Sequence, residues 1–375
     1  MKELNNPFVV YGYKGAAYFC DREEETEKIV KGLSNERNIT LIAPRRIGKT
    51  GLIHHVFARI KEQQPEICCI YFDILSTKTL EQFVQLMARN VLGRLDTPSQ
   101  TALRKVQDFF SAFRPTMTFD ANTGMPTFSL DVAKSQEEMS LQRIFEYLKQ
   151  SNKRCYIAID EFQQITNYPG TDTEALLRSF IQFVPNVYFI FAGSKQHMMS
   201  DIFLSPERPL YQGAQVVNIK EIDERVYYDF SDALFQKRGQ HLPESVFHYL
   251  YDKVDGQTWY VQATMNRVYS NQTGEISNSD VDEAIQELID EEEVAFENYY
   301  SSLTANQAAL LLAIAREQNV KSPMSQPFII KHRLPALSSI KTALASLSES
   351  QFIYQYQGGY VVYDRFFGMW LRDRL

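Results

Sequence analysis

The sequence predicts an α/β fold built on a parallel sheet, followed by a helical region and a C-terminal winged helix. Three observations carry that expectation. Residues 38–62 read as a strand, a short loop and an amphipathic helix, with Gly48-Lys49-Thr50 at the helix mouth. The run 155–159 is apolar without alternation, as in a strand covered on both faces of a parallel sheet, and it ends in Asp160-Glu161. A further apolar run, 187–192, ends in Gly193-Ser194-Lys195. At 375 residues the chain exceeds one ordinary core and fits two or three domains.

Ile39, Leu41 and Ile42 form the first strand, and Leu52, Ile53, Val56, Phe57 and Ile60 recur at helical spacing after the loop. Backbone N–H groups at a helix N-terminus carry partial positive charge and bind phosphate oxygens. Lys49 is then placed to reach the β- and γ-phosphates, as both binding and catalytic residue, and the Thr50 hydroxyl to ligate Mg²⁺. Pro44, Arg45, Arg46, Ile47, Gly48, Lys49, Thr50 and Gly51 are the candidate nucleotide-binding residues. The phosphate-loop pattern wants glycine where this chain has Ala43, so the loop must enter with negative φ there. The alternative is a glycine-containing turn before an ordinary amphipathic helix.

A second buried strand is expected at 67–73, with helices near 78–95 and 98–111. Two β-prone runs over 116–131, around Asn122-Thr123-Gly124, read as a hairpin inserted in the core. An isolated hairpin is marginal in water, so it must lean on the core or on a partner. In an open α/β sheet the ligand sits beyond the carboxyl ends of the strands, where Asp160 and Glu161 emerge. Asp160 is the candidate Mg²⁺ ligand beside Thr50, and Glu161 the candidate base for an attacking water. Their alternative is a plain polar strand end. Ser194 either orients the water, reports loss of the γ-phosphate, or caps the next helix. Lys195 reads as a surface charge.

The core is expected over about residues 1–220, with the hairpin at about 115–131. Residues 221–300 read as helices near 222–238, 243–254, 257–272 and 278–300. That stretch carries 5 Lys+Arg against 18 Asp+Glu, a net of 5 − 18 = −13, and so repels phosphate backbones. Arg267 there is either a lid arginine reaching over a nucleotide or a salt-bridged surface group. Residues 301–375 read as a winged helix: helices at 303–317, near 325–332 and at 337–347, two strands joined by Gln357-Gly358, and a last helix from Phe366. Its 8 Lys+Arg against 4 Asp+Glu give 8 − 4 = +4. Ser338, Ser339, Lys341 and Thr342 on the third helix, with Lys331 and Arg333 before it, suit phosphate or base contacts. A packing role for this domain is the competing reading. Tyr354, Tyr356, Tyr360 and Tyr363 read as cross-strand pairs.

Several motifs together resemble one family. Asn6-Pro7-Phe8, the stretch from Tyr18 to Glu25, Ala43-Pro44-Arg45-Arg46-Ile47-Gly48-Lys49-Thr50, Gly193-Ser194 and Pro209-Leu210-Tyr211 look like the archaeal-type ATPases, a STAND-like branch of the AAA+ P-loop NTPases. The likeness spans nearly the whole chain, and Ala43 is usual in that family's loop. It implies a P-loop NTPase core, a helical lid at 221–300 and a winged helix at 301–375, with ATP/ADP and Mg²⁺ as cofactors. It further implies a nucleotide-controlled switch that hydrolyses ATP. Adenine packs on the N-terminal box in such proteins, which makes Tyr18, Phe19 and Arg22 base candidates; Tyr18 and Phe19 serve equally as core anchors. The family often follows Pro-Leu-Tyr with Gly-Arg, whereas Gln212-Gly213-Ala214 stand here. Arg208 is either a substitute or an exposed arginine beside a turn. A transition-state arginine is worth about a thousandfold in rate, so its loss implies a slow hydrolase or a nucleotide-held regulator. The outputs left open are DNA, a protein partner and self-association; a phosphate-transferring kinase is the third reading.

Composition is that of a soluble globular protein, with 44% hydrophobic and 23% charged residues and a net charge of −7. The first residues lack an apolar leader and no run approaches a membrane span, so a cytoplasmic protein is expected. Cys20, Cys68, Cys69 and Cys155 lack metal-ligand spacing and read as reduced core residues. His54 and His55, adjacent on a helix, point different ways and make no metal pair.

Overall fold

The computed structural model describes residues 3–95, 114–119, 126–131, 137–271 and 274–374. The chain divides into two compact units, Tyr11–Ile222 and Met1–Val10 together with Asp223–Leu375.

In the unit Tyr11–Ile222 the strands are β1 (Ile39–Ile42), β2 (Cys68–Asp73), β3 (Arg114–Phe119), β4 (Pro126–Asp131), β5 (Cys155–Asp160), β6 (Val187–Gly193) and β7 (Gln215–Asn218). Five form one sheet in the order β2-β5-β6-β1-β7, with every neighbouring pair parallel. Its apolar runs lack alternation because both faces are covered. Ile157, Ile159, Phe189 and Phe191 meet Phe83 and Val84 of the helix Leu80–Leu95 and Leu141 and Ile144 of the helix Glu137–Gln150. On the other face Leu41, Ala158, Ile190 and Ala192 meet Ile29 and Leu33 of α1 (Glu23–Ser34) and Leu52, Ile53 and Val56 of α2 (Lys49–Gln63). β7 has no apolar run to announce it; its edge position beside β1 makes it a strand. β3 and β4 pair antiparallel as the expected hairpin, while Asn122-Thr123-Gly124 and the helix expected at 98–111 lie outside the described residues.

β6 lies between β1 and β5, and the register sets Ile42 beside Gly193 and Ile159 beside Phe191. The loop after β1, the Gly193-Ser194 tip and the acid pair after β5 therefore emerge side by side at one edge of the sheet.

The second unit begins with helices Glu224–Gln236, Glu244–Lys253, Thr258–Asn271, Asn278–Glu291 and Glu293–Ser301. The single helix expected over 278–300 breaks at Glu292 (φ −97°, ψ 1°), inside the acidic run Asp290-Glu291-Glu292-Glu293. Arg374 pairs with Asp290 at 2.7 Å and with Glu293 across the break. Phe8 is buried against Phe235 and Tyr269, and Asn266 Nδ2 donates to the Phe8 carbonyl at 2.7 Å. The Asn6-Pro7-Phe8 box thus packs on this unit's helices. Helices Ala305–Glu317, Gln326–Lys331 and Leu337–Glu349 follow, then the antiparallel pair β8 (Ile353–Tyr356) and β9 (Gly359–Val362) and a final helix Arg365–Arg374. A bridge between Val320 and Tyr360 widens the wing. No helix among the described residues is long and apolar enough to cross a membrane.

Candidate nucleotide site

The loop from β1 to α2 turns through two left-handed residues, Arg46 (φ 64°) and Gly48 (φ 97°). Ala43 is not among the positive-φ residues, which is the backbone that alanine in place of glycine requires. A left-handed non-glycine residue costs on the order of 1 kcal/mol, so Arg46 marks where this loop is strained. Gly48 caps α2 and carries no Cβ to obstruct the helix mouth.

Lys49 is only 6% exposed, with Nζ 3.3 Å from the Pro44 carbonyl. Burial pushes its ammonium below the ordinary lysine range, opposed by the carboxylates of Asp160 and Glu161. A buried ammonium of this kind is stabilised by an anion at the helix mouth. Thr50 and Asp160, 110 residues apart in sequence, meet directly: Thr50 Oγ1 donates to Asp160 Oδ2 at 2.7 Å. The Tyr71 hydroxyl donates to the same oxygen at 3.1 Å, and the Glu161 amide donates to Oδ1 at 2.9 Å. Burial and the nearby Asp160 and Asp73 carboxylates hold the Tyr71 phenol well above its usual range, so it acts as a neutral donor.

These groups fit Mg²⁺. The Thr50 proton is committed to Asp160, which leaves hydroxyl lone pairs for a cation, and both side chains offer hard oxygen. No cluster of three or more His, Cys, Asp or Glu among the described residues forms a metal cage. Mg²⁺ needs none, since it is commonly held by one or two carboxylates together with substrate phosphates.

Glu161 sits in the left-handed region at φ 54°, turning its side chain off the strand line. Its Oε2 accepts from Ser194 Oγ at 2.7 Å and from Gln163 Nε2 at 2.6 Å. Ser194 and Gln163 are both buried, and Gln163 lies against Gly193 in a space that a Cβ would fill. Ser194 therefore bonds to the acid; the cap of the following helix is Lys195, without a side-chain cap bond.

Arg22 is 4% exposed, paired with Glu25 at 3.1 Å and donating to the Ile47 carbonyl at 3.2 Å, so it braces the phosphate loop from behind. Phe19 stacks on His55 with ring centroids 4.4 Å apart, and its edge faces Gly51, where a Cβ would lie 3.3 Å away. Tyr13 joins them, its hydroxyl 3.0 Å from His55 Nδ1. Tyr18 is half-buried at the end of the turn Ala16–Tyr18. His54 packs instead on Tyr71, confirming that the two histidines point apart. Arg208 is engaged by buried Glu174 and by Asp201 at 3.5 Å. In the other unit Arg267 Nη2 donates to both carboxylate oxygens of Glu291, at 2.5 and 2.6 Å.

Tyr71, Gln163, Tyr13 and His55 carried no signal in the sequence. Tyr71 and His55 sit at apolar-pattern positions, and only packing reveals where their polar atoms end.

A parallel sheet with a phosphate loop after its β1 strand and an acid pair two strands away defines a P-loop NTPase. The sequence model of the family described as "ATPase domain predominantly from Archaea" matches residues 19–264, more than half of the chain, and the chain belongs to that family. A second model, a probable winged helix domain, matches residues 294–373. The chain is therefore a nucleotide-binding ATPase with a C-terminal winged helix. No curated protein matches it. Among solved structures, a Walker-type ATPase of Pyrococcus abyssi aligns at 18% identity with a TM-score of 0.66, covering 98% of this chain and 99% of that one. The ORC2 protein of Aeropyrum pernix, in ADPNP–ADP complexes, aligns at 13% identity and TM-score 0.59, covering 98% and 96%. The ORC1 protein of the same organism, in complex with DNA, gives 12%, 0.56, 98% and 96%. At such identities these likenesses establish the fold.

Proposed function

We propose that this ATPase is Mg²⁺-dependent and slow, and that its nucleotide state acts as a switch on the segment Asp223–Leu375. Gly48 and Lys49, with the loop from Pro44 to Gly51, bind the phosphates; Thr50 and Asp160 hold the cation; Glu161 takes the proton of the attacking water, and Ser194 orients that acid. Tyr13, Phe19 and His55 form the aromatic ground on which adenine rests, with Tyr18 beside them and Arg22 supporting the loop. Mg²⁺ held by Thr50 and Asp160 would supply charge neutralisation at the phosphate oxygens. We take the segment to about 220 as the core, 221–300 as the lid and 301–375 as the winged-helix output.

The observation that supports this most is the 2.7 Å bond between Thr50 and Asp160 beside a buried Lys49. Slowness follows from Arg208, whose guanidinium is engaged by Glu174 and Asp201, and from the missing Gly-Arg after Tyr211. ATP affinity and turnover, with and without duplex DNA at several salt concentrations, test the reading. Turnover well above about one per minute without a partner, beyond the scale of unassisted P-loop enzymes, refutes slowness.

A second reading makes the chain a nucleotide-held DNA regulator with little hydrolysis. The +4 charge of 301–375 and exposed Ser338, Lys341 and Thr342 favour it, although Lys331 is tied to Glu317. A DNA affinity that falls steeply with salt supports this reading, and a flat response directs attention to a protein partner or self-association.

A further inference from the structure

We propose that Tyr71 is a positioning residue for the metal-side carboxylate Asp160, fixing the direction its oxygens present to a divalent cation. The inference rests on the nucleotide–Mg²⁺ reading of this site.

Two of the three donors to Asp160, the Thr50 hydroxyl and the Glu161 amide, belong to groups already assigned to nucleotide chemistry. Tyr71 is the third, and it arrives from a different strand, the sheet-edge β2. The register explains its reach. Tyr71 lies opposite Ala158 and Asp73 opposite Asp160, so all four side chains leave the same face of the sheet. Ala158 carries a single methyl, which leaves room for the tyrosine ring to lean along the face toward the next carboxylate. On α2, His54 packs against the ring, with centroids 4.6 Å apart at 51°. The ring is thus held by its own strand and by the helix that begins at Lys49. Packing accounts for the ring but not for a hydroxyl delivered to the oxygen that Thr50 also contacts. Groups that orient a metal-binding carboxylate in this way typically change metal affinity about ten- to hundredfold when removed.

The test uses Mn²⁺ as the probe, titrated into the full chain with ADP while free Mn²⁺ is followed by electron paramagnetic resonance. ADP affinity is measured separately in EDTA. Tyr71→Phe keeps the ring and its packing on His54 and removes only the hydroxyl. Its Mn²⁺ affinity is expected to fall about ten- to hundredfold while metal-free ADP affinity is unchanged. Unaltered Mn²⁺ affinity overturns the inference, and so does an equal loss of metal-free ADP affinity, which marks a structural role. Thr50→Ala separates the two levels of argument. If it loses Mn²⁺ binding and Tyr71→Phe does not, the site reading stands and the inference alone falls. If the wild type shows no ADP-dependent Mn²⁺ binding, the site reading falls and takes the inference with it.

Discussion

A methyl group at position 193 has no room. A Cβ there would lie 2.2 Å from Gln163 Oε1 and 2.5 Å from Met199 Sδ. Met199 is fully buried and Gln163 is 3% exposed, so neither side chain can swing into solvent. Overpacking a well-filled interior costs about 1–3 kcal/mol. Gln163 can yield only by leaving Glu161 Oε2, which it now contacts at 2.6 Å. A hydrogen bond to a charged group contributes about 1.5–3 kcal/mol. The two costs are alternatives, because the chain relaxes by whichever is smaller, so Gly193→Ala is expected to lose about 1–3 kcal/mol. For a unit of this size that is roughly a 2–12 °C drop in Tm. Urea unfolding and thermal melting read the loss. Adding Met199→Ala opens one side of the clash, so the double variant should fall short of the summed single losses, with a coupling of about 0.5–3 kcal/mol. Wild-type stability in Gly193→Ala refutes the close-packing argument, and strict additivity refutes the share assigned to Met199. If the clash is relieved by moving Gln163 off Glu161, hydrolysis should also fall more than ATP affinity does.

Three further outcomes are expected. Lys49→Ala removes the buried ammonium and should weaken ATP binding about ten- to a hundredfold by equilibrium titration; unchanged affinity overturns the phosphate assignment. Glu161→Gln should retain ATP binding while hydrolysis drops about a hundredfold or more in a phosphate-release assay; undiminished turnover removes its role as base. Burial pushes the Glu174 carboxyl up to about 7, with Arg208 opposing, against an ordinary value of 4.5 in the unfolded chain. The folded form then binds more protons between those two values, so this group's contribution is full below about pH 4.5 and is lost as pH rises through about 7. Glu174→Gln should flatten that part of the stability profile, and an unchanged slope in urea titrations across it would count against the assignment.

Much of the core was legible because it rests on local pattern. The strands 39–42, 155–159 and 187–192 are apolar without alternation, and a parallel sheet covered on both faces imposes that signature. The Gly48-Lys49-Thr50 turn was legible because a phosphate-binding helix mouth tolerates few residues. β7 was not, since Gln215–Asn218 owes its strand form to the neighbouring β1. The break at Glu292 was also hidden, because helical periodicity continues through the acidic run while like charges and the Arg374 pairs act across it.

By itself the sequence determined the kinds of element, the order of loop, acid pair and Gly-Ser tip, and the alternatives for each polar residue. Only the tertiary structure decided which alternatives are joined in space. Strand order is set by which apolar faces bury one another, and no local signal records that β6 inserts between β1 and β5. That insertion brings Ser194 to Glu161, and pairing of the edge strand β2 with β5 brings Tyr71 to Asp160. Hydrogen bonds of 2.7 to 3.1 Å depend on this register, and a register is a property of the folded sheet rather than of any one segment.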